Sequence, residues 1–143
     1  GFVFDDLTLK ASPNEWALRA INALREWSGD RIIAEINNGG DMVENTVRMV
    51  DPNIPFRAVR ASRGKIVRAE PVAALYEQHK IHHVGNFSTL EDQMCTYTAD
   101  TKESPDRMDA LVWGLTDLFV ALPEPTRKTL VYHDPVKIGP DLF

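Results

Sequence analysis

The chain has 143 residues, of which 43% are apolar and 26% are charged, and it contains eight Gly, nine Pro and one Cys. This composition indicates one soluble globular domain and excludes a disulfide scaffold, a collagen-like chain and a disordered tail. Sixteen Lys and Arg against 21 Asp and Glu give a formal net charge of −5, so any contact with nucleic acid requires a local basic patch.

The first half of the chain predicts alternating strands and helices. Residues 2–9 alternate as a strand, and the run Ser-Pro-Asn-Glu at 12–15 predicts the start of a helix that ends at Gly29. Residues 31–36 (RIIAEI) are rich in β-branched side chains without alternation, which is typical of a strand buried on both faces. An Asn-Asn-Gly-Gly turn and a helix over 42–50 follow.

The second half continues the alternation. Strands are predicted over residues 56–61 and 81–84, with a helix over 66–78 between them. A capping box at 88–91 begins a further helix, and an amphipathic helix of about 18 residues ends at Leu122. Connections of about 15 to 20 residues favour parallel neighbouring strands in an α/β sheet covered by helices.

This pattern predicts one domain over residues 1–122 and a C-terminal extension over 123–143 that is polar and rich in Pro. The opening run GFVFDD alternates like the middle of a strand, so we expect the chain to begin inside a larger protein. No run approaches the roughly 18 apolar residues of a membrane span, and no signal sequence is recognisable. We therefore expect no contact with a membrane.

Cys95 has no second thiol to pair with, which favours a reducing compartment and predicts a small apolar core residue. His82 and His83 are adjacent on a short predicted strand, so their side chains point to opposite faces. The two imidazoles are therefore not expected to share one metal ion.

Glu35 places a charge at the carboxyl end of the strand predicted over 31–36. A carboxylate buried there costs several kcal/mol to desolvate unless a metal ion or an Arg compensates it. Ligands of open α/β sheets gather at the carboxyl ends of strands. Glu35 is therefore either a residue of a ligand site or the first exposed position of the following loop.

Asp106 and Asp109 lie at the start of the last predicted helix. Residues three apart share one side of a helix, so both carboxylates can face one point. Both are also ordinary complements of the helix dipole, an explanation that suits Asp106 better than Asp109. Carboxylates from a strand end and a helix start are the ligands that Mg²⁺ and Mn²⁺ prefer, so Glu35, Asp106 and Asp109 predict a two-metal site for phosphoryl transfer.

Five basic residues fall within twelve positions that contain no acidic residue. A local positive patch of this kind suits the phosphates of nucleic acid, and the alternative is a solvated loop. The candidate DNA-binding residues are Arg57, Arg60, Arg63, Lys65 and Arg68.

Three runs of the sequence, DRIIAEINNGGDMV, VRASRGKIVRAEPVAALYEQHKIHHVGNFSTLEDQMCTY and SPDRMDALVWGLTDLF, carry a specific resemblance. Nearly end to end, they resemble the C-terminal nuclease domain of phage and prophage large terminase subunits, the DNA-packaging motors. The resemblance covers roughly residues 3–122. It implies an RNase H-like mixed sheet flanked by helices, whose first strands this chain lacks.

The resemblance also implies the site. The family's acidic residue at the end of the strand beside the central one falls on Glu35, and its acidic residue at the start of the last helix falls on Asp109. Asp106 is then an additional or alternative metal ligand. The family's first catalytic Asp lies on an opening strand absent from this sequence, because Asp5 and Asp6 fall on what resembles the family's third strand.

The implied activity is that of an endonuclease that depends on Mg²⁺ or Mn²⁺ and cleaves concatemeric double-stranded DNA during genome packaging. The implied partners are double-stranded DNA, the portal protein, the small terminase subunit and the ATPase domain of the same full-length protein, in the cytoplasm of the bacterial host. The alternative is a module without nuclease activity that binds DNA or docks on the portal.

Overall fold

The computed structural model describes residues 1–36 and 41–120, which form four strands and five α-helices. The predicted α/β class is confirmed. The predicted turn at 37–40 and the predicted extension at 123–143 lie outside the described residues. In chain order the elements are β1 (Phe2–Val3), α1 (Pro13–Glu26), β2 (Ile32–Glu35), α2 (Asp41–Val50), β3 (Phe56–Val59), α3 (Lys65–Glu77), β4 (His82–His83), α4 (Ser88–Thr96) and α5 (Asp106–Leu115), and a π-helix over Thr116–Val120 continues α5.

The start of α1 follows the predicted capping box. The Glu15 carboxylate accepts hydrogen bonds from the Ser12 backbone N–H at 2.9 Å and from the Ser12 hydroxyl at 2.6 Å. By contrast, β1 is much shorter than the predicted strand over 2–9. The reason is local, because the Asp6 carboxylate accepts a hydrogen bond from the Thr8 backbone N–H at 3.2 Å, which turns the chain out of the extended conformation.

Both strand pairs are parallel, as the lengths of the connections predict. β2 pairs with β3 from Ile32 opposite Phe56 to Glu35 opposite Val59. β1 pairs with β4 over two residues of each strand. The described residues therefore contain two sheets of two strands each, and α5 packs against β2.

The core has two parts. One lies between α1 and α2 and contains Ala17, Ile21, Val47 and Ile54. The other lies between α3, α4 and α5 and next to β4, and its buried side chains are Val72, Ile81, Met108, Val112 and Leu115.

The apolar stripe predicted for the last helix holds only as far as Leu115. Beyond it, Leu118 and Phe119 are 66% and 42% exposed, whereas Asp117 is buried. The π-helix explains the difference, because its wider turn interrupts the three-to-four spacing of an α-helix. An acidic side chain consequently takes the inward position.

Cys95 is exposed on α4, so its predicted place in the core is wrong. α4 has nine residues and buries only Leu90 completely, which leaves Cys95 on the outer side of the helix. No helix in the described ranges is long and apolar enough to cross a membrane.

Candidate active site

Three elements bring charged side chains to one point beside the β2–β3 sheet. Glu35 is the last residue of β2, and Asp109 lies in the first turn of α5. Lys65 and Arg68 occupy the first turn of α3, which packs against α5. We call Glu35, Lys65, Arg68 and Asp109 the carboxylate cluster.

One guanidinium lies between the two carboxylates of this cluster. Arg68 Nη2 is 2.5 Å from Asp109 Oδ1 and 3.7 Å from Glu35 Oε2. Lys65 Nζ is 3.3 Å from the other Asp109 oxygen, and it also donates to the Ser104 hydroxyl at 2.8 Å. The structure thus brings Glu35 and Asp109 together around a shared positive charge.

Trp113 holds the cluster from its inner side. Its indole N–H donates to Glu35 Oε2 at 2.8 Å, and its ring lies 4.7 Å from the Arg68 guanidinium carbon. Sequence reasoning missed Trp113. The available signal was its spacing, because a residue four positions after Asp109 lies on the same face of α5.

The cluster is largely screened from water. The side chains of Arg68, Asp109 and Glu35 are 11%, 13% and 22% exposed. Two carboxylates held this close repel each other unless cations compensate them, and Arg68 and Lys65 supply that compensation. The N-terminus of α5 adds a favourable dipole at Asp109. Even so, the buried Nε of Arg68 has no hydrogen-bond partner in the described part of the chain.

Asp106 lies apart from this cluster. It is the first residue of α5 and is exposed, as expected for a carboxylate that complements the helix dipole. Within residues 1–36 and 41–120, no group of three or more His, Cys, Asp or Glu side chains is placed to hold a metal ion. Of the three predicted ligands, the structure brings together Glu35 and Asp109.

The predicted basic patch is divided in the structure. Arg57 forms an ion pair with the buried Asp117, while Lys65 and Arg68 belong to the carboxylate cluster. This division arises because acidic side chains lie near both ends of α5, Asp109 in its first turn and Asp117 in the π-helix that follows it, and each pairs with part of the basic segment. Arg60 and Arg63 are exposed and have no ion pair to any described residue.

Arg60 and Arg63 line an open groove of about 210 Å³ that adjoins the carboxylate cluster. We call it the basic groove. Arg68 belongs both to this groove and to the carboxylate cluster, and Trp113, which contacts the cluster, also lines the groove, so the groove and the cluster are adjacent. The lining residues are Arg60, Ser62, Arg63, Val67, Arg68, Pro71, Trp113, Thr116 and Val120.

Comparison with known proteins decides the family. A family model described as a terminase RNaseH-like domain matches residues 5–118. The chain belongs to this family. The resemblance drawn from the sequence motifs and the RNase H-like fold it implied are therefore confirmed. Neither the curated proteins nor the solved structures include a significant match.

Membership in this family makes the chain a terminase domain of the nuclease kind. The next question is whether its carboxylates fit a divalent metal ion. Glu35 and Asp109 are hard oxygen donors from separate elements, and the point between them already accommodates a positive group. Their chemistry and charge fit one ion such as Mg²⁺ or Mn²⁺. A second ion requires more oxygen ligands than these two residues supply.

The terminase domain contains a second buried acid that sequence reasoning missed. The side chain of Asp117 is 3% exposed, and it forms ion pairs with Arg31, at 2.9 Å, and with Arg57. In the sequence, Asp117 stands between apolar residues near the end of an amphipathic helix. Only the π-helical turn, which the apolar spacing does not reveal, places it inside.

A third polar cluster joins the last turn of α3 to β4 and α4 in the terminase domain. The Tyr76 hydroxyl lies 2.8 Å from His83 Nε2, and His83 Nδ1 lies 2.9 Å from Glu91 Oε1. Burial, together with the Glu91 charge, raises the pKa of Tyr76 to about 12. His82 is exposed and His83 faces inward, as the strand alternation predicts.

Proposed function

We propose that this terminase domain is a metal-dependent endonuclease that cleaves concatemeric double-stranded DNA during genome packaging. The observation that carries the proposal is the convergence of Glu35 and Asp109 on a single cationic group, at 3.7 and 2.5 Å from one Arg68 nitrogen. Bringing two carboxylates together in a largely buried place costs desolvation energy, and a metal-dependent nuclease uses such a pair to hold its ion. Family membership supports the nuclease kind.

In this proposal Glu35 and Asp109 hold Mg²⁺ or Mn²⁺, and Asp106 is an additional ligand from the exposed first turn of α5. When bound, the ion supplies Lewis acidity and lowers the pKa of a water molecule for attack on phosphorus. The indole N–H of Trp113 fixes one Glu35 oxygen at 2.8 Å and so orients the other.

Arg60 and Arg63 supply the contacts to the DNA backbone. Both side chains are exposed in the basic groove, which also contains Arg68 of the carboxylate cluster. Contacts between guanidinium groups and phosphates carry no sequence information, so we expect affinity with little sequence preference. Arg57 and Lys65, which we also expected to bind DNA, already pair with acidic residues and contribute less.

The proposed setting is the cytoplasm of the bacterial host. The proposed partners there are double-stranded DNA, the portal protein, the small terminase subunit and an ATPase domain in the same full-length protein.

A plasmid-nicking assay tests the proposed activity. The chain is incubated with supercoiled plasmid and Mn²⁺, and we expect Asp109→Asn and Glu35→Gln to lower the nicking rate at least about a hundredfold. The matched control is Asp92→Asn, which changes an exposed carboxylate on α4 and leaves the rate unchanged. Equal nicking by wild type and Asp109→Asn, with both chains folded by circular dichroism, contradicts the proposal.

The second candidate is a module that binds DNA or docks on the portal without cleaving. The observation that favours it is the pairing of the two carboxylates with Arg68 and Lys65, and the absence of a third acidic ligand beside them among the described residues. Gel-shift binding of the plasmid without nicking in either Mg²⁺ or Mn²⁺ supports this candidate.

A further inference from the structure

We propose that Arg68 is a resident counter-ion that competes with a divalent cation for Glu35 and Asp109, and that its displaced guanidinium becomes a phosphate contact in the basic groove. This inference rests on the proposed function, because it describes how metal binding at that site is regulated. It assigns Arg68 two positions, one for the metal-free protein and one for the metal-bound protein.

Competition follows from the position of the guanidinium. Arg68 Nη2 lies 2.5 Å from Asp109 Oδ1 and 3.7 Å from Glu35 Oε2, so it lies against the oxygens that would hold the ion. A divalent cation and a guanidinium in the same place repel each other strongly in a site with little water. One of them must therefore leave when the other is bound.

The contacts of Arg68 are those of a group that can leave. Its buried Nε has no hydrogen-bond partner among the described residues, and its separation from Glu35 exceeds hydrogen-bonding distance. Lys65 differs, since its ammonium is tied to both Asp109 and Ser104. Of the two cations in the cluster, Arg68 is thus the one that lies against both carboxylates, and it is the one that an ion bound between them has to displace.

The basic groove offers the proposed second position, because Arg68 already borders it. Arg68 Nη1 donates to the backbone carbonyl of Arg63 at 2.8 Å, and Arg68 lines the basic groove together with Arg60. The Trp113 ring, 4.7 Å from the guanidinium carbon, offers a flat face along which a guanidinium slides while it keeps its cation–π contact. A planar fork of donors beside Arg60 and Arg63 suits a phosphate group.

Metal binding measured without DNA tests the competition. Mn²⁺ is titrated calorimetrically into the full chain, and we expect Arg68→Gln to bind Mn²⁺ about tenfold more tightly than wild type because a competing charge is gone. Arg68→Lys keeps the charge and is expected to stay near wild type. Arg25→Gln, which changes an exposed ion pair on α1, serves as the matched control. Unchanged or weaker binding by Arg68→Gln overturns the inference, as does no Mn²⁺ binding by wild type and Arg68→Gln alike.

Trp113 emission reports the displacement itself. The Mg²⁺-induced change in fluorescence is measured in wild type and in Trp113→Phe, and the difference isolates the indole that lies against Arg68. We expect a smaller change in Arg68→Gln than in wild type, because both proteins bind the ion at Glu35, which accepts from the indole, but only wild type has a guanidinium to move. An equal change in both proteins means that Arg68 keeps its place, which contradicts the inference.

The outcomes for the inference and for the proposed function are separable. Tighter Mn²⁺ binding by Arg68→Gln without any plasmid nicking contradicts the nuclease activity and supports the competition. Nicking that depends on Mn²⁺ and Asp109, with equal Mn²⁺ affinity in wild type and Arg68→Gln, supports the nuclease and overturns the competition.

Discussion

The two clusters of charge at the ends of the last helix look alike, yet they are built differently. Asp117 is one acid between two guanidinium groups, those of Arg31 and Arg57. In the carboxylate cluster, by contrast, the one guanidinium of Arg68 lies against two acids, Glu35 and Asp109. The acidic side chains are largely buried in both places, but Arg31 and Arg57 are about half exposed whereas Arg68 is largely buried. The two clusters also differ in that two cations serve one acid at Asp117, whereas two cations, Lys65 and Arg68, serve two acids at the carboxylate cluster.

This difference separates an ion pair that holds the fold from a site that can exchange its cation. Asp117 links Arg31, just before β2, to Arg57 of β3 and to the π-helix, so it joins three segments of the chain. Neither of its partners lines the basic groove. Arg68, in contrast, has an Nε without a hydrogen-bond partner in the described part of the chain and an open groove beside it. Mutations in the two clusters should therefore affect different properties.

The largest expected effect on stability is that of Asp117→Ala. Removing a buried partner of an ion pair costs about 3–5 kcal/mol when the remaining charge stays buried. Arg31 and Arg57 are 44% and 47% exposed and can recover water, so we expect a smaller loss of roughly 2–3 kcal/mol in the free energy of unfolding. Urea unfolding measures it. Asp51→Ala, which breaks an exposed ion pair with Arg25, is the control and should cost less than about 1 kcal/mol.

The next effect distinguishes the two clusters directly. Arg68→Gln should lower the free energy of unfolding by about 2 kcal/mol in the presence of a chelator, because two largely buried carboxylates lose a shared cation. Added Mn²⁺ should restore much of that loss by binding the folded state. Arg57→Gln should show a smaller loss relative to wild type, and Mn²⁺ should leave that difference unchanged, because the variant keeps the carboxylate cluster of wild type. Equal responses of the two variants to Mn²⁺ mean that the clusters do not differ in the way we infer.

Sequence patterns located one of these clusters and missed the other, for a physical reason. Glu35 and Asp109 are readable because strand ends and helix starts are marked by β-branched runs and capping residues. Asp117 is not readable, because its burial depends on a π-helical turn that the apolar spacing does not encode. Tertiary pairing also divided the basic segment. The sequence does not distinguish the basic residues that pair with acids, Arg57, Lys65 and Arg68, from Arg60 and Arg63. Only the packing around α5 separates the two groups.

That division of the basic segment gives a prediction for DNA binding. Arg60→Ala combined with Arg63→Ala should weaken affinity for duplex DNA and reduce the magnitude of the salt slope by about two, since each lost phosphate contact contributes roughly 0.9. Affinity measured by fluorescence anisotropy at several salt concentrations gives the slope. Arg25→Ala combined with Arg19→Ala removes two charges from exposed positions of α1 and keeps both exposed groove residues. An equal change in slope for this control pair means that net charge, rather than the basic groove, governs binding.

The smallest expected effect on stability concerns Glu91. Like Asp117, its carboxylate connects separate segments of the fold, but it lies at the surface. Hydrogen bonds from His83 and from the Phe87 backbone hold the pKa of Glu91 below its ordinary value of 4.5. A carboxyl group whose pKa is lowered by folding stabilises the protein above its unfolded pKa, and that contribution is lost as the pH falls through the folded pKa. Wild type should therefore lose stability below pH 4.5 slightly faster than Glu91→Gln, whose side chain does not titrate. Thermal unfolding across this acidic range measures the difference. Parallel curves for the two proteins would show that the Glu91–His83 contact adds nothing to the acid dependence.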